Sequence, residues 1–66
     1  GIPEALTGPV ARGDVATVAD HLAAIRKLSP EAADLYTRLG LATIDIATAK
    51  GTLSQAAADE LIKLFT

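Results

Sequence analysis

The chain has 66 residues, half of them hydrophobic, with no cysteine and a formal net charge of −2 at pH 7. The absence of cysteine excludes disulfides and thiolate metal sites, and a single histidine excludes a histidine-rich metal cluster. The acidic balance and the single Tyr and Phe argue against nucleic-acid binding, and charged residues interrupt every apolar run well before the ~20 residues of a membrane span.

The first helix signal follows a predicted break at Thr7-Gly8-Pro9, since Gly and Pro together interrupt regular structure. Asp14 has the residue type of an N-cap, because its carboxylate can accept from the free N–H groups of a first turn. The pattern predicts a helix at about 14–28. Its apolar residues have the spacing of an amphipathic helix and form the expected inner face: Val15, Val18, Leu22, Ile25 and Leu28.

Ser29-Pro30-Glu31 predicts the start of a second helix, because Ser is a good N-cap, Pro suits the first helical position and Glu suits the helix dipole. This helix is expected to run to about Ala49, with Gly51 after its end. Its main inner face is predicted to be Ala32, Leu35, Tyr36, Leu39, Ala42, Thr43 and Ile46. Leu41 and Ile44 lie on a second apolar face, and so the helix is expected to lie at an interface as well as in the centre.

Ser54 is expected to cap a last helix at about 55–65. Its predicted inner face is Ala57, Ala58, Leu61, Ile62 and Phe65. The expected fold is therefore all-α, a single small bundle of about three helices. A core of this size is marginal, and without disulfides or a metal we expect association with another copy or another domain. The chain has no methionine and begins with Gly1, from which we expect a fragment of a longer protein or the product of tag removal.

Arg12-Gly13-Asp14 is the most conspicuous tripeptide. An adhesive role would need a secreted protein, and no signal peptide pattern is present. The favoured interpretation is that Gly13 makes a turn and Asp14 caps the helix. Arg12 is then either solvated or available to hold an anionic group near the helix N-terminus and Gly8.

His21 falls on the polar side of its helix, and no motif places a nucleophile or a substrate proton near it, so a structural role is favoured. Asp45 lies between Ile44 and Ile46 on a largely apolar helix. It is predicted to lie either at the rim of an interface or in the one polar strip of that helix. The residues alone thus indicate an associating helical module without a complete active site.

Two stretches, ALTGPVARGDVATVADHLAAI and SPEAADLYTRLGLATIDIA, resemble the C-terminal helical region of a poorly characterised family of Rossmann-fold oxidoreductase-like proteins. The resemblance covers about residues 5–49. It is carried by Thr7-Gly8-Pro9, Arg12-Gly13-Asp14, Thr17-Val18, His21-Leu22 and Leu35-Tyr36. The layout is similar to that of pyrroline-5-carboxylate reductase, ketopantoate reductase and 6-phosphogluconate dehydrogenase.

The resemblance implies that an N-terminal Rossmann domain, absent from this chain, binds NAD(P). It also implies that the helical domain dimerises and closes the substrate cleft in a cytoplasmic protein. Thr7, Arg12 and His21 become candidates for the cleft, with Arg12 holding a substrate carboxylate or a cofactor phosphate. No catalytic residue and no metal ligand is assigned, because fold-level analogy does not establish one. The isolated chain would bind no cofactor and be inactive.

The alternative is an independent helical interaction module that docks on a partner through Leu41, Ile44 and the last helix and has no enzymatic role. The interface candidates are Leu41, Ile44 and Asp45. A strand–GxGxxG–helix unit upstream would favour the oxidoreductase, whereas the interaction module needs none.

Overall fold

Three α-helices make up most of the molecule in a computed structural model that describes the backbone of residues 6–66 and the side chains of residues 8–66. A π-helical segment, Leu6–Val10, precedes α1 (Val15–Leu28), α2 (Pro30–Lys50) and α3 (Gln55–Phe65). No residue in the described range belongs to a strand, and the prediction of an all-α bundle is confirmed. Within the same range, none of the helices is long and apolar enough to cross a membrane.

The π-helical segment lies where the sequence predicted a break. Pro9 lies inside it, and the prediction of an interruption at Thr7-Gly8-Pro9 is therefore wrong. Proline's fixed φ is compatible with helical backbone, although its nitrogen donates no hydrogen bond. The chain turns instead at Gly13, whose φ of 72° suits a residue without a Cβ. The Asp14 N–H donates to the Pro9 carbonyl oxygen at 2.8 Å.

The helix ends follow the sequence closely. Ser29 alone separates α1 from α2: its N–H donates to the Ile25 carbonyl oxygen at 2.9 Å, and its Oγ accepts from the Ala32 N–H at 3.2 Å. Gly51 ends α2 in the left-handed conformation with a φ of 78°. Ser54 Oγ accepts from the Ala57 N–H at 3.2 Å and begins α3. The predicted caps are confirmed, because they depend on residues within a few positions of one another.

The core has contributions from all three helices, from the π-helical segment and from the connection between α2 and α3. Tyr36 lies fully buried at its centre. The buried hydrophobic residues are Val10, Val18, Leu22, Ala33, Tyr36, Ile44, Ala47, Leu53, Ala58, Leu61 and Phe65. Helix α2 contributes small residues at seven-residue intervals, Ala33, Gly40 and Ala47. Such residues allow the backbones of neighbouring helices to approach α2 closely.

The orientation of α2 differs from the prediction. Leu35, Leu39 and Ile46 were expected inside, but they are 49%, 40% and 57% exposed. Ile44, expected on the outer of two apolar faces, is 2% exposed and belongs to the core. Of the predicted main face only Tyr36 is fully buried. The inner face is chosen by close approach between helices and not by summed hydrophobicity.

Two further inner-face assignments are also wrong. Leu28, at the end of α1, is 85% exposed, and Ile62, on α3, is 36% exposed. Leu28 is the last residue of α1. Ile62 lies between the buried Leu61 and Phe65 in the chain, at the edge of the inner face of α3. The remaining predicted inner residues of α1 and α3 are buried or half-buried.

A close contact joins α3 to α2. A Cβ added at Gly40 would lie 2.5 Å from Cζ and 2.7 Å from Cε2 of Phe65. The same ring meets the Tyr36 ring edge-on, with centroids 5.8 Å apart and an interplanar angle of 85°. Edge-to-face pairs of this kind contribute about 0.5–1.5 kcal/mol beyond the area that they bury.

Gly40→Ala should lower the free energy of unfolding by about 1 kcal/mol. Overpacking destabilises the fold by about 1–3 kcal/mol, which exceeds the roughly 1 kcal/mol gained in helix propensity. Urea denaturation followed by circular dichroism measures this. In a Phe65→Leu background the ring is gone, and the same change should become neutral or stabilising. An equal stabilisation by Gly40→Ala in both backgrounds would contradict the close contact.

Candidate functional site

Polar side chains gather where α1 begins. Asp14 caps the helix: its Oδ1 accepts from the Thr17 N–H at 3.3 Å, and its Oδ2 accepts from the Thr17 hydroxyl at 2.8 Å. These two hydrogen bonds, the side-chain one first, hold the pKa of Asp14 below its ordinary value, and the nearby charges of Arg12 and His21 lower it further. Asp14 is therefore a charged group that is fixed in position at neutral pH.

Arg12 lies on the surface beside the π-helical segment. A Cβ added at Gly8 would lie 3.2 Å from the Arg12 Nη1 atom, so the guanidinium folds back over the glycine backbone. The proximity of Arg12 to Gly8 that the sequence suggested is thus confirmed. An exposed guanidinium presents planar donors that match a carboxylate or phosphate group.

His21 is half-buried on α1. It follows Asp14 and Thr17 at positions i+7 and i+4, and so the three residues share one face of the helix. The Nδ1 atom is enclosed and has no hydrogen-bond partner among the described residues. The structure therefore brings Arg12, Asp14 and His21 into one neighbourhood, which we call the α1 entry site. The Thr7 side chain lies outside the described residues, and its role stays a prediction.

The interface candidates on α2 do not lie together on the surface. Ile44 is in the core, and Leu41 is half-buried and packs against the core. Asp45 is exposed. The expectation of an outer apolar face at Leu41 and Ile44 is therefore wrong, because these residues face α2's own neighbours in the bundle.

The exposed apolar surface of α2 lies on a side that the sequence predicted to be buried. Leu35, Leu39, Ala42 and Ile46 are all exposed on the outer side of α2. Their spacing of four, three and four residues is the repeat of a helix-pairing seam. The same spacing is typical of an inner face, and so the sequence predicts these residues in the core; only their exposure in the structure distinguishes the two cases.

Tyr36 was also not singled out as a buried polar residue. Its side chain is 0% exposed, its hydroxyl has no hydrogen-bond partner among the described residues, and burial raises its pKa. Ionising this hydroxyl inside the core is therefore unfavourable. We assign Tyr36 to packing.

These observations define a small helical bundle with a polar site at the entry of α1. Residues 1–43 match the family described as a domain of unknown function, DUF2520. The match spans 43 of the 66 residues, and the chain belongs to this family. It includes Arg12, Asp14 and His21. No curated protein and no solved structure matches the chain.

Asp14→Ala should lower the melting temperature at pH 7, whereas Asp20→Ala, an exposed aspartate on the same helix, should change it little. The pKa of Asp14 is lower in the folded chain than its ordinary value of 3.8. The charged carboxylate therefore stabilises the fold above about pH 3.8, and this stabilisation is lost as the pH falls through the folded-state pKa.

Thermal unfolding of both variants and of the unaltered chain between pH 2 and pH 7 checks this. The Asp14→Ala variant should lose less stability on acidification than the unaltered chain does. Equal losses in the two proteins would show that the carboxylate does not stabilise the helix end.

Proposed function

We propose that this chain is the dimerising and substrate-side helical part of an NAD(P)-dependent oxidoreductase. The observation that carries the proposal is the placement of an accessible Arg12 guanidinium beside Asp14 and His21, within the residues that match the family. The resemblance to the C-terminal region of Rossmann-fold oxidoreductase-like proteins supports it. A cytoplasmic location is part of the same proposal.

The α1 entry site suits an anionic group. The positive end of the 14-residue helix α1 lies here. Asp14 already accepts from the Thr17 N–H of the first turn, and so Arg12 supplies the donors for a ligand. A guanidinium can bind both oxygens of a carboxylate or phosphate group at once.

The described residues do not form a Rossmann-type nucleotide site by themselves. Dinucleotide binding of the Rossmann type uses a strand, a Gly-rich turn and a helix, whereas the described residues form helices and connecting turns. In the proposed protein a separate N-terminal domain holds the NAD(P), which supplies the hydride chemistry. The chain described here forms the facing wall of the cleft, binds the anionic group and excludes water.

The first experiment is to determine the coding sequence upstream of Gly1 and to titrate the full-length protein with NADPH, following nicotinamide fluorescence. A strand–GxGxxG–helix unit in frame, together with saturable NADPH binding, supports the proposal. A start codon directly before Gly1 would contradict it. The independent helical interaction module would then be the better description.

Arg12→Ala in the full-length protein should raise the Kd for NADPH, or the KM of the substrate that NADPH reduces, about tenfold. The reason is that a hydrogen bond to a charged group contributes about 1.5–3 kcal/mol. Arg26→Ala is the matched control, because Arg26 is also exposed and lies in the last turn of α1. If neither constant changes for Arg12→Ala, or both variants act equally, Arg12 is only a surface charge.

A further inference from the structure

The outer side of α2 carries an uncovered apolar stripe. It consists of Leu35, Leu39, Ala42 and Ile46, which we call the outer stripe. Its three large side chains are between 40% and 57% exposed. Alternation of four-residue and three-residue spacings is the pattern by which one helix packs along another. The stripe therefore has the form of a helix-pairing surface, and none of this chain's own described helices covers it.

The stripe is complementary to itself when its direction is reversed. We propose that the outer stripe packs against the outer stripe of a second copy, with the two α2 helices antiparallel. In the register that places Leu39 opposite Ala42 of the second copy, Leu35 lies opposite Ile46. Each Leu39 then faces a small alanine, and the two ends of the stripe present one leucine and one isoleucine to each other.

Two shallow grooves flank the outer stripe. One is lined by Glu31, Asp34, Leu35 and Arg38. The other is lined on α2 by Thr43, Ile46, Ala47 and Lys50, together with Ala11 and Thr52. Each set of four on α2 has the i, i+3, i+4, i+7 spacing of the hollows that receive side chains from a paired helix. The register described above brings the two sets level with each other along the helix axes.

The charges beside the stripe also favour the antiparallel direction. Arg38 and Asp45 are exposed and lie along the same border of the stripe. In the proposed register Arg38 is displaced by only two residues, about 3 Å along the axis, from Asp45 of the second copy. Symmetry gives this pair twice. The antiparallel direction also places opposite ends of the helix dipoles next to each other.

The inference builds on the dimerising role proposed above and names the surface that performs it. Helix α2 has 21 residues and is therefore about 31 Å long. A specific, stable interface buries about 800 Å² on each partner, which is more than three half-exposed aliphatic side chains provide. We therefore expect a reversible dimer whose population depends on protein concentration.

Sedimentation equilibrium of the full chain over a concentration series tests the surface. Ile46→Glu places a charge in the stripe and should raise the dimer dissociation constant at least about tenfold. Ile62→Glu makes the same change at another exposed isoleucine, on α3, and should leave the constant within about twofold. Circular dichroism verifies that both variants are folded. A monomeric unaltered chain, or equal effects of the two variants, would overturn the proposal.

The direction of pairing is tested separately. Arg38→Asp and Asp45→Arg should each weaken the dimer, and the double variant should restore it. Because the chain has no cysteine, Leu35→Cys and Ile46→Cys each introduce a single thiol. Mixing these two variants under oxidising conditions should give the mixed disulfide. Efficient self-linking of Leu35→Cys without the mixed product would overturn the antiparallel arrangement.

These experiments separate the inference from the enzyme proposal. Failure of the full-length protein to bind NADPH would overturn the oxidoreductase assignment, while association through the outer stripe would still be measured. A chain that stays monomeric, in a protein that binds NADPH, would overturn only the pairing of α2.

Discussion

The contact of Phe65 with α2 determines how the bundle closes. The ring lies where a side chain at Gly40 would be, and it meets Tyr36 edge-on. These are the only two aromatic residues of the chain, so most of the large rigid packing surface is concentrated at one point. With α3 held against α2 in this way, Tyr36, Gly40 and Ile44 must face inward. Leu35, Leu39 and Ile46 must then face outward.

This rotation of α2 links the core to the proposed association. A small core tolerates little unused apolar surface, yet α2 leaves three large aliphatic side chains half exposed. Turning them inward would replace small residues by large ones at the close contact with α3. The energetic cost of exposing the stripe is therefore offset only if another surface covers it, which is the role we propose for a second copy.

The α1 entry site is built by different means. Asp14 and Thr17 form a local cap, and Gly8 gives the Arg12 guanidinium room to fold back. Both depend on residues within a few positions of one another. The sequence could therefore predict the cap and the proximity of Arg12 to Gly8. His21 is two helical turns further on, and its place on the same face follows from helix periodicity alone.

The sequence by itself determined the three α-helices, their caps at Asp14, Ser29, Gly51 and Ser54, and the grouping of polar residues around the start of α1, because each depends on residues close together in the chain. It wrongly predicted a break at Pro9, which lies inside the helical segment Leu6–Val10. Only the tertiary structure decided which apolar face of α2 is buried. The sequence of α2 has two apolar faces that could be buried. The contact of Phe65 with Gly40, 25 positions apart in the chain, buries the face with the smaller side chains.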